Sequence, residues 1–250
     1  MTTPRAAVAV PFDASYECRN DVYRAIIGST ARQGGLEETW QAYFMREHVT
    51  LFQRLLMLHR RVFVSRAMRY WFNRTFASQG VFVEAGAGTS ESSGRIDRRE
   101  RMLIAVDICA FVLEKLNVLP LKVHADIFRL PFRDASIDGI WNLGVMEHFT
   151  PSQLDRILRE FHRVVKPGGR LLLMWPPWFA PYEVLLNSIA WVCKAIFGRK
   201  VEFFPDEISR YSRRKRLEPM FAACGFNLCR CAFSWRDIYS YIVVIAEKPR

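Results

Sequence analysis

Three acids stand where apolar runs end. Glu84 closes "VFVE" just before the Gly-x-Gly of Gly86 and Gly88, Asp107 closes "LIAVD", and Asp126 closes "LKVHAD". A carboxylate is acceptor-only and can take two hydrogen bonds from a pair of neighbouring hydroxyls, as on a ribose. Asp107, 23 residues after Glu84, has the spacing for that task. Asp126 can accept from the exocyclic amine of a base while the Ile127 N–H serves a ring nitrogen. Gly86 and Gly88 can adopt positive φ and let the backbone approach a ligand closely.

For these groups to converge, their runs must be parallel strands that end on one edge. Strand and helix signals alternate in the required way: "GVFVEAG", "LIAVD", "LKVHAD", "DGIWNLG" and "RLLLMWPP" read as strands. Between them, "SSGRIDRRERM", "CAFVLEKLN" and "PSQLDRILREFHRVV" read as helices, with "KPGG" as a stop and turn. Such alternation means a parallel sheet covered on both faces, with ligands at the carboxyl edge. "RRKRLEPMFAACGF" reads as a later helix, and "NLCRCAFSW" and "SYIVVIAEKP" as two closing strands. Residues 1 to about 35 read as irregular, and about 36 to 76 as two or three helices.

The 250 residues suit one α/β domain with extensions, or two small ones, and half of them are apolar. The net charge of +11 favours acidic partners, although the basic residues are scattered. Six cysteines without a Cys-x-x-Cys pair predict free thiols and no metal site. The N-terminal "MTTPRAAVAVPFDASYE" lacks a sustained apolar core, so neither a signal peptide nor a membrane span is expected. A cytoplasmic location follows, with peripheral membrane contact open.

Four stretches, "VEAGAGTS", "LIAVDI", "ADIFRLPFRDASIDGIWNLGVMEHF" and "FHRVVKPGGRLLLM", resemble in order the class I S-adenosylmethionine-dependent methyltransferases, over about residues 78–248. The resemblance implies a doubly wound, mainly parallel seven-stranded sheet with an antiparallel C-terminal hairpin. It implies an N-terminal segment and helical extension over 1–77 and a methyltransferase domain over 78–250, with a helical lid inserted after the fifth strand at about 176–211. The cofactor would be S-adenosyl-L-methionine. Glu84, Ala85, Gly86 and Gly88 would line its methionine end, Asp107 and Ile108 its ribose and adenine, and Asp126 and Ile127 the adenine edge. Leu143 and Gly144 would pass near the sulfonium. Ser90 stands where such families often carry a third glycine; its hydroxyl could bond the cofactor carboxylate. A dinucleotide is disfavoured, because Glu91 at the third glycine position of G-x-G-x-x-G would repel a pyrophosphate.

His148, just beyond the fourth strand and beside Glu147, is the candidate general base; the alternative is a packing role. Trp175, Trp178, Phe179 and Tyr182 begin an apolar stretch that reads as a pocket lid, a membrane contact or a dimer contact. A greasy lid suggests an apolar or amphiphilic acceptor: a lipid, a quinone-like ring, a polyketide or a lipid-linked sugar. The absence of a recognisable RNA-binding module speaks against nucleic acid. An RNA methyltransferase and a non-catalytic S-adenosylmethionine-binding subunit are the alternatives, and the oligomeric state is open.

Overall fold

The computed structural model describes residues 12, 16–19, 22–25, 34–45, 57–177, 188, 207–211 and 213–250. The apolar runs form the strands β3 (Gly80–Ala85), β4 (Arg101–Asp107), β5 (Leu121–His124), β6 (Ile137–Leu143) and β7 (Val165–Trp175). They pair in parallel in the order β5-β4-β3-β6-β7. The hairpin β8 (Asn227–Phe233) and β9 (Ile242–Glu247) closes the far edge, with β9 antiparallel to β7. These are the seven strands expected. The central strands β3, β4 and β6 are buried on both faces, which is why their sequences are rich in apolar residues and do not alternate.

Part of the stretch read as irregular joins the sheet. β1 (Tyr16–Arg19) and β2 (Val22–Ala25) form a hairpin, and β2 pairs in parallel with β5, so the sheet has nine strands. Their four-residue runs, "YECR" and "VYRA", are too short and too polar to stand out as strands by periodicity. Two further readings are corrected. "SSGRIDRRERM" holds only the end of a 3₁₀ turn, Glu91–Ser93, and the first two residues of β4, because four arginines and two acids leave it no apolar stripe to bury. "KPGG" is part of β7, since Gly168 N–H donates to Lys248 O at 2.8 Å and Lys248 N–H to Gly169 O at 2.9 Å.

One face of the sheet is covered by α2 (Ser65–Thr75), whose Ala67, Met68, Trp71 and Phe72 meet Phe82, Trp141 and Leu172. A π-helical turn, Arg60–Val64, leads into it. On the same face lies the short α3 (Ala110–Lys115), through Leu113. The opposite face is covered by α4 (Pro151–Val164) and α5 (Arg214–Ala223). α4 starts from a capping box between Thr150 and Gln153, with Pro151 in the first turn. The N-terminal helix α1 (Gly34–Phe44) lies toward the carboxyl edge of the strands. Among the described residues no helix is long and apolar enough to cross a membrane.

Candidate functional site

The end of β3 is held open by backbone geometry that side chains resist. Gly86 sits at φ +75°, and a Cβ there would lie 2.8 Å from Val145 Cγ2. Ser90 adopts φ +51°, the left-handed region, which explains why a glycine would suit its position. The Ser90 hydroxyl does not face outward for a ligand carboxylate, as the sequence suggested. It donates to Glu84, as does Ser93 Oγ at 2.7 Å, and Trp141 Nε1–H in turn donates to Ser93 Oγ at 3.1 Å. A fully buried carboxylate recruits the nearest donors, and its own loop supplies them. Burial nevertheless pushes the Glu84 pKa up to about 7, against the opposing pull of Ser90 and Ser93.

Asp107 ends β4 and fixes the neighbouring turn. Its Oδ2 accepts from Gly88 N–H and its Oδ1 from Cys109 N–H, both at 2.8 Å. Burial raises its pKa, and the two N–H groups and the nearby His124 act the other way. Each oxygen keeps a further lone pair for a ligand hydroxyl. Beside it, His124 Nε2 lies 2.8 Å from Ile108 O and 3.4 Å from Glu37 of α1. Asp126 does not end β5, which stops at His124, but sits in the turn beyond it. There it accepts from Phe128 N–H at 3.0 Å, and Ile127 beside it is buried. Leu143 ends β6, and Gly144 follows with its N–H donating to Met174 O at 3.0 Å.

His148 lies in a 3₁₀ turn, Met146–His148, immediately past β6. Its ring packs edge-on against Trp40 of α1, with centroids 4.9 Å apart, and its Nε2 is 3.8 Å from Glu147 Oε1. Glu147 is buried, and its Oε2 has no hydrogen-bond partner among the described residues. Burial, with a smaller push from the Glu207 charge, raises its pKa to about 8. Segment 207–211 straps this turn: Ile208 and Ser209 N–H donate to Glu147 O at 2.7 and 2.9 Å. Trp175 anchors the strap. Read from sequence as a pocket wall, it is instead buried at 1 % exposure, because its indole N–H donates to Ser209 O at 2.9 Å and its ring meets Tyr211. Trp178, Phe179 and Tyr182 lie outside the described residues.

Glu84, Asp107, Gly86, Gly88, Gly144 and His148 thus converge on one edge. α1 supplies a cover that the motifs did not reveal: Glu37 reaches His124, Trp40 reaches His148, and Phe44 approaches Gly88. Those residues are spaced three and four apart, the spacing of one helical face, and that was the available signal. Ser93, which shares Glu84 with Ser90, had no such signal. Among the described residues no cluster of three or more His, Cys, Asp or Glu side chains is arranged for a metal ion.

This fold, with its acids and glycines at the carboxyl edge, is that of the class I methyltransferases. A family model described as a methyltransferase domain matches residues 83–173. The ubiquinone/menaquinone biosynthesis C-methyltransferase UbiE of Rubrivivax gelatinosus is 25% identical over 218 residues, covering 72% of this chain and 81% of that protein. The probable tRNA methyltransferase 9B of Bos taurus is 36% identical over 141 residues, covering 53% of this chain and 31% of its own length. A 1,6-didemethyltoxoflavin-N1-methyltransferase from Burkholderia thailandensis, solved with S-adenosylhomocysteine bound, superposes with a TM-score of 0.57 at 14% identity, covering 90% of this chain and 95% of that one. The chain is a class I S-adenosylmethionine-dependent methyltransferase.

Proposed function

We infer that the enzyme methylates an apolar or amphiphilic small molecule admitted beneath the aromatic face of α1. The observation that carries this reading is Trp40 lying against His148 while Phe44 approaches Gly88, so that aromatic side chains border both the acceptor and cofactor ends of the edge. The similarity to a quinone C-methyltransferase over most of both chains supports the same class of acceptor.

Bound S-adenosylmethionine supplies a methyl group activated by its sulfonium. The residues present fit it. The positive-φ backbone at Gly86 leaves no side chain between the loop and a ligand, and Asp107 has lone pairs for a ribose diol. In this reading Glu84, Ala85, Gly86 and Gly88 shape the methionine end, with Glu84 and Ser90 holding the loop's form. Asp107 and Ile108 hold the ribose and flank the adenine, Asp126 and Ile127 meet its edge, and Leu143 and Gly144 border the reacting end. His148 takes the proton of the acceptor on a ring nitrogen, and Trp40 borders the acceptor and excludes water.

The test is transfer of labelled methyl groups into a cell extract that is then split between organic solvent and water. Label in the organic phase, lost in Asp107→Ala, supports the reading. Label in RNA would establish instead the nucleic-acid reading that the similarity to a probable tRNA methyltransferase favours. Asp107→Ala should weaken cofactor binding by about 1–3 kcal/mol by calorimetry, since it removes a buried acceptor. His148→Ala with an unaltered rate and pH profile would reduce His148 to packing.

A further inference from the structure

A second feature lies on the outer face of α2. A groove of about 550 Å³ is lined by Arg66, Arg69, Tyr70, Asn73, Arg74, Arg95 and Arg236. Asn73 is tied to Arg101, and Arg95 donates to Ser65 Oγ at 3.0 Å. Arg66, Arg69, Arg74 and Arg236 have no acid partner among the described residues, so four cations share one hollow without a counter-charge. Arg236 joins the groove to an apolar rim, since its guanidinium lies 4.5 Å from the Trp235 ring centroid. The turn Trp235–Asp237 packs against both the 60–64 turn and α2, and around it Met57, Leu58, Phe63, Trp235, Ile238 and Tyr239 are all exposed. Trp235 is the most open of them, at 66%. The rim belongs to the same edge as the candidate site, because β9 starts at Ile242 opposite Trp175, the carboxyl end of β7.

Cations beside exposed apolar side chains match an anionic lipid surface, where phosphate headgroups meet the charge and aromatic and aliphatic groups enter the boundary layer. RNA matches less well. Base stacking needs open aromatic faces, whereas inside the groove the Tyr70 ring carries Arg236 at 3.7 Å and Arg74 at 5.2 Å from its centroid, and on the rim the exposed Trp235 carries Arg236 at 4.5 Å. Met57, Leu58 and Ile238 offer nothing to a base stack. We propose that the arginine groove on α2 and the apolar rim at 57–63 and 235–239 dock this enzyme on an anionic phospholipid membrane, with the edge that carries the methyl-transfer site turned toward the bilayer. The docking deepens the apolar-acceptor reading and rests on it for its purpose, but it can be measured without turnover.

The experiment is co-sedimentation of the full chain with phosphatidylcholine vesicles, with and without phosphatidylglycerol. Binding should require the anionic lipid and weaken with salt. Arg69→Gln with Arg74→Gln should lower it by about fivefold per arginine, and Trp235→Ser should lower it while leaving the salt dependence intact. Circular dichroism and cofactor binding report whether each variant is folded. Equal binding to neutral and anionic vesicles, or wild-type binding by the arginine pair, overturns the proposal. So does an arginine-dependent affinity for labelled tRNA with no vesicle binding. Vesicle binding together with methyl label in the aqueous phase would sink the apolar-acceptor reading and leave the docking surface standing.

Discussion

At the β3–β4 end of the carboxyl edge, buried acids are met by donors from their own loops. Glu84 accepts from Ser90 and Ser93, and Asp107 from the Gly88 and Cys109 amides. At the β6–β9 end Glu147 is buried as deeply, but one of its oxygens is not met. Glu147 Oε2 lacks a partner among the described residues, whereas the Asp237 carboxylate faces the N–H groups of residues 239–241, whose pull does not offset the burial that raises its pKa to about 7. Both amide atoms of Asn142, buried in β6, are equally unpartnered. Buried polar atoms are normally satisfied, by protein groups or by ordered water. The β3–β4 end is therefore held in one shape by its own loops. The β6–β9 end carries Trp40 against His148, with the buried Glu147 beside it.

The largest expected effect tests the unmet side. A carboxyl whose folded pKa lies above its unfolded one holds its proton more tightly when folded. The contribution of Glu147 to stability is thus complete below about pH 4.5 and is lost as pH rises through about 8. Glu147→Gln keeps a neutral group of the same shape. It should match the wild type in acid and be more stable above pH 8, by an amount on the order of a few kcal/mol. Melting temperatures across that range check this. Parallel curves for the two proteins would break the comparison, since they would mean that Glu147 finds a donor.

The next effect is smaller and of opposite sign. Glu84→Ala removes the acceptor shared by two buried hydroxyls and should destabilise the fold by about 1–3 kcal/mol in denaturant titration. Glu84→Gln should lose less. Its wild-type partner should show the same downward slope with rising pH, over the narrower window from 4.5 to about 7. A larger loss for Glu84→Gln than for Glu84→Ala would mean that the carboxylate charge, more than the hydroxyl network, sets the loop.

The contrast between the two ends also marks what the sequence made legible. β3 and β4 carry nearly continuous apolar runs that close on Glu84 and Asp107, and β6 and β7 have apolar carboxyl halves, so the sheet and the order of Glu84, Asp107 and His148 could be read along the chain. β1 and β2 could not, because four-residue strands of mixed polarity are stabilised by pairing with β5 and not by their own pattern. The same limit hid the inward turn of Ser90. Its type suggests a donor, but only the buried position of Glu84 decides which acceptor it meets. Trp175 misled for a related reason: a large aromatic beside an apolar insertion reads as pocket, whereas the strap at Ser209 and Tyr211, distant in sequence, makes it core.

Trp40 gives the smallest effect on stability and the sharpest test of the aromatic cover. It is half-buried, and its neighbours include His148, Tyr43 and Phe44; it is absent from both hydrophobic cores of the sheet. Trp40→Ala should therefore leave the melting temperature close to that of the wild type. If the ring only borders the acceptor, its loss removes binding that is equal in ground and transition states, so KM rises, by about tenfold, and kcat holds. A tenfold change corresponds to about 1.4 kcal/mol, reasonable for one aromatic wall. If the ring instead fixes the His148 imidazole, kcat falls and the pH profile of turnover changes while KM stays near its original value. The first pattern would make the acceptor end a shaped apolar entrance with a separate proton acceptor. The second would make α1 part of the catalytic arrangement, and the acceptor end would then depend on a helix from the N-terminal extension as closely as the cofactor end depends on its own loops.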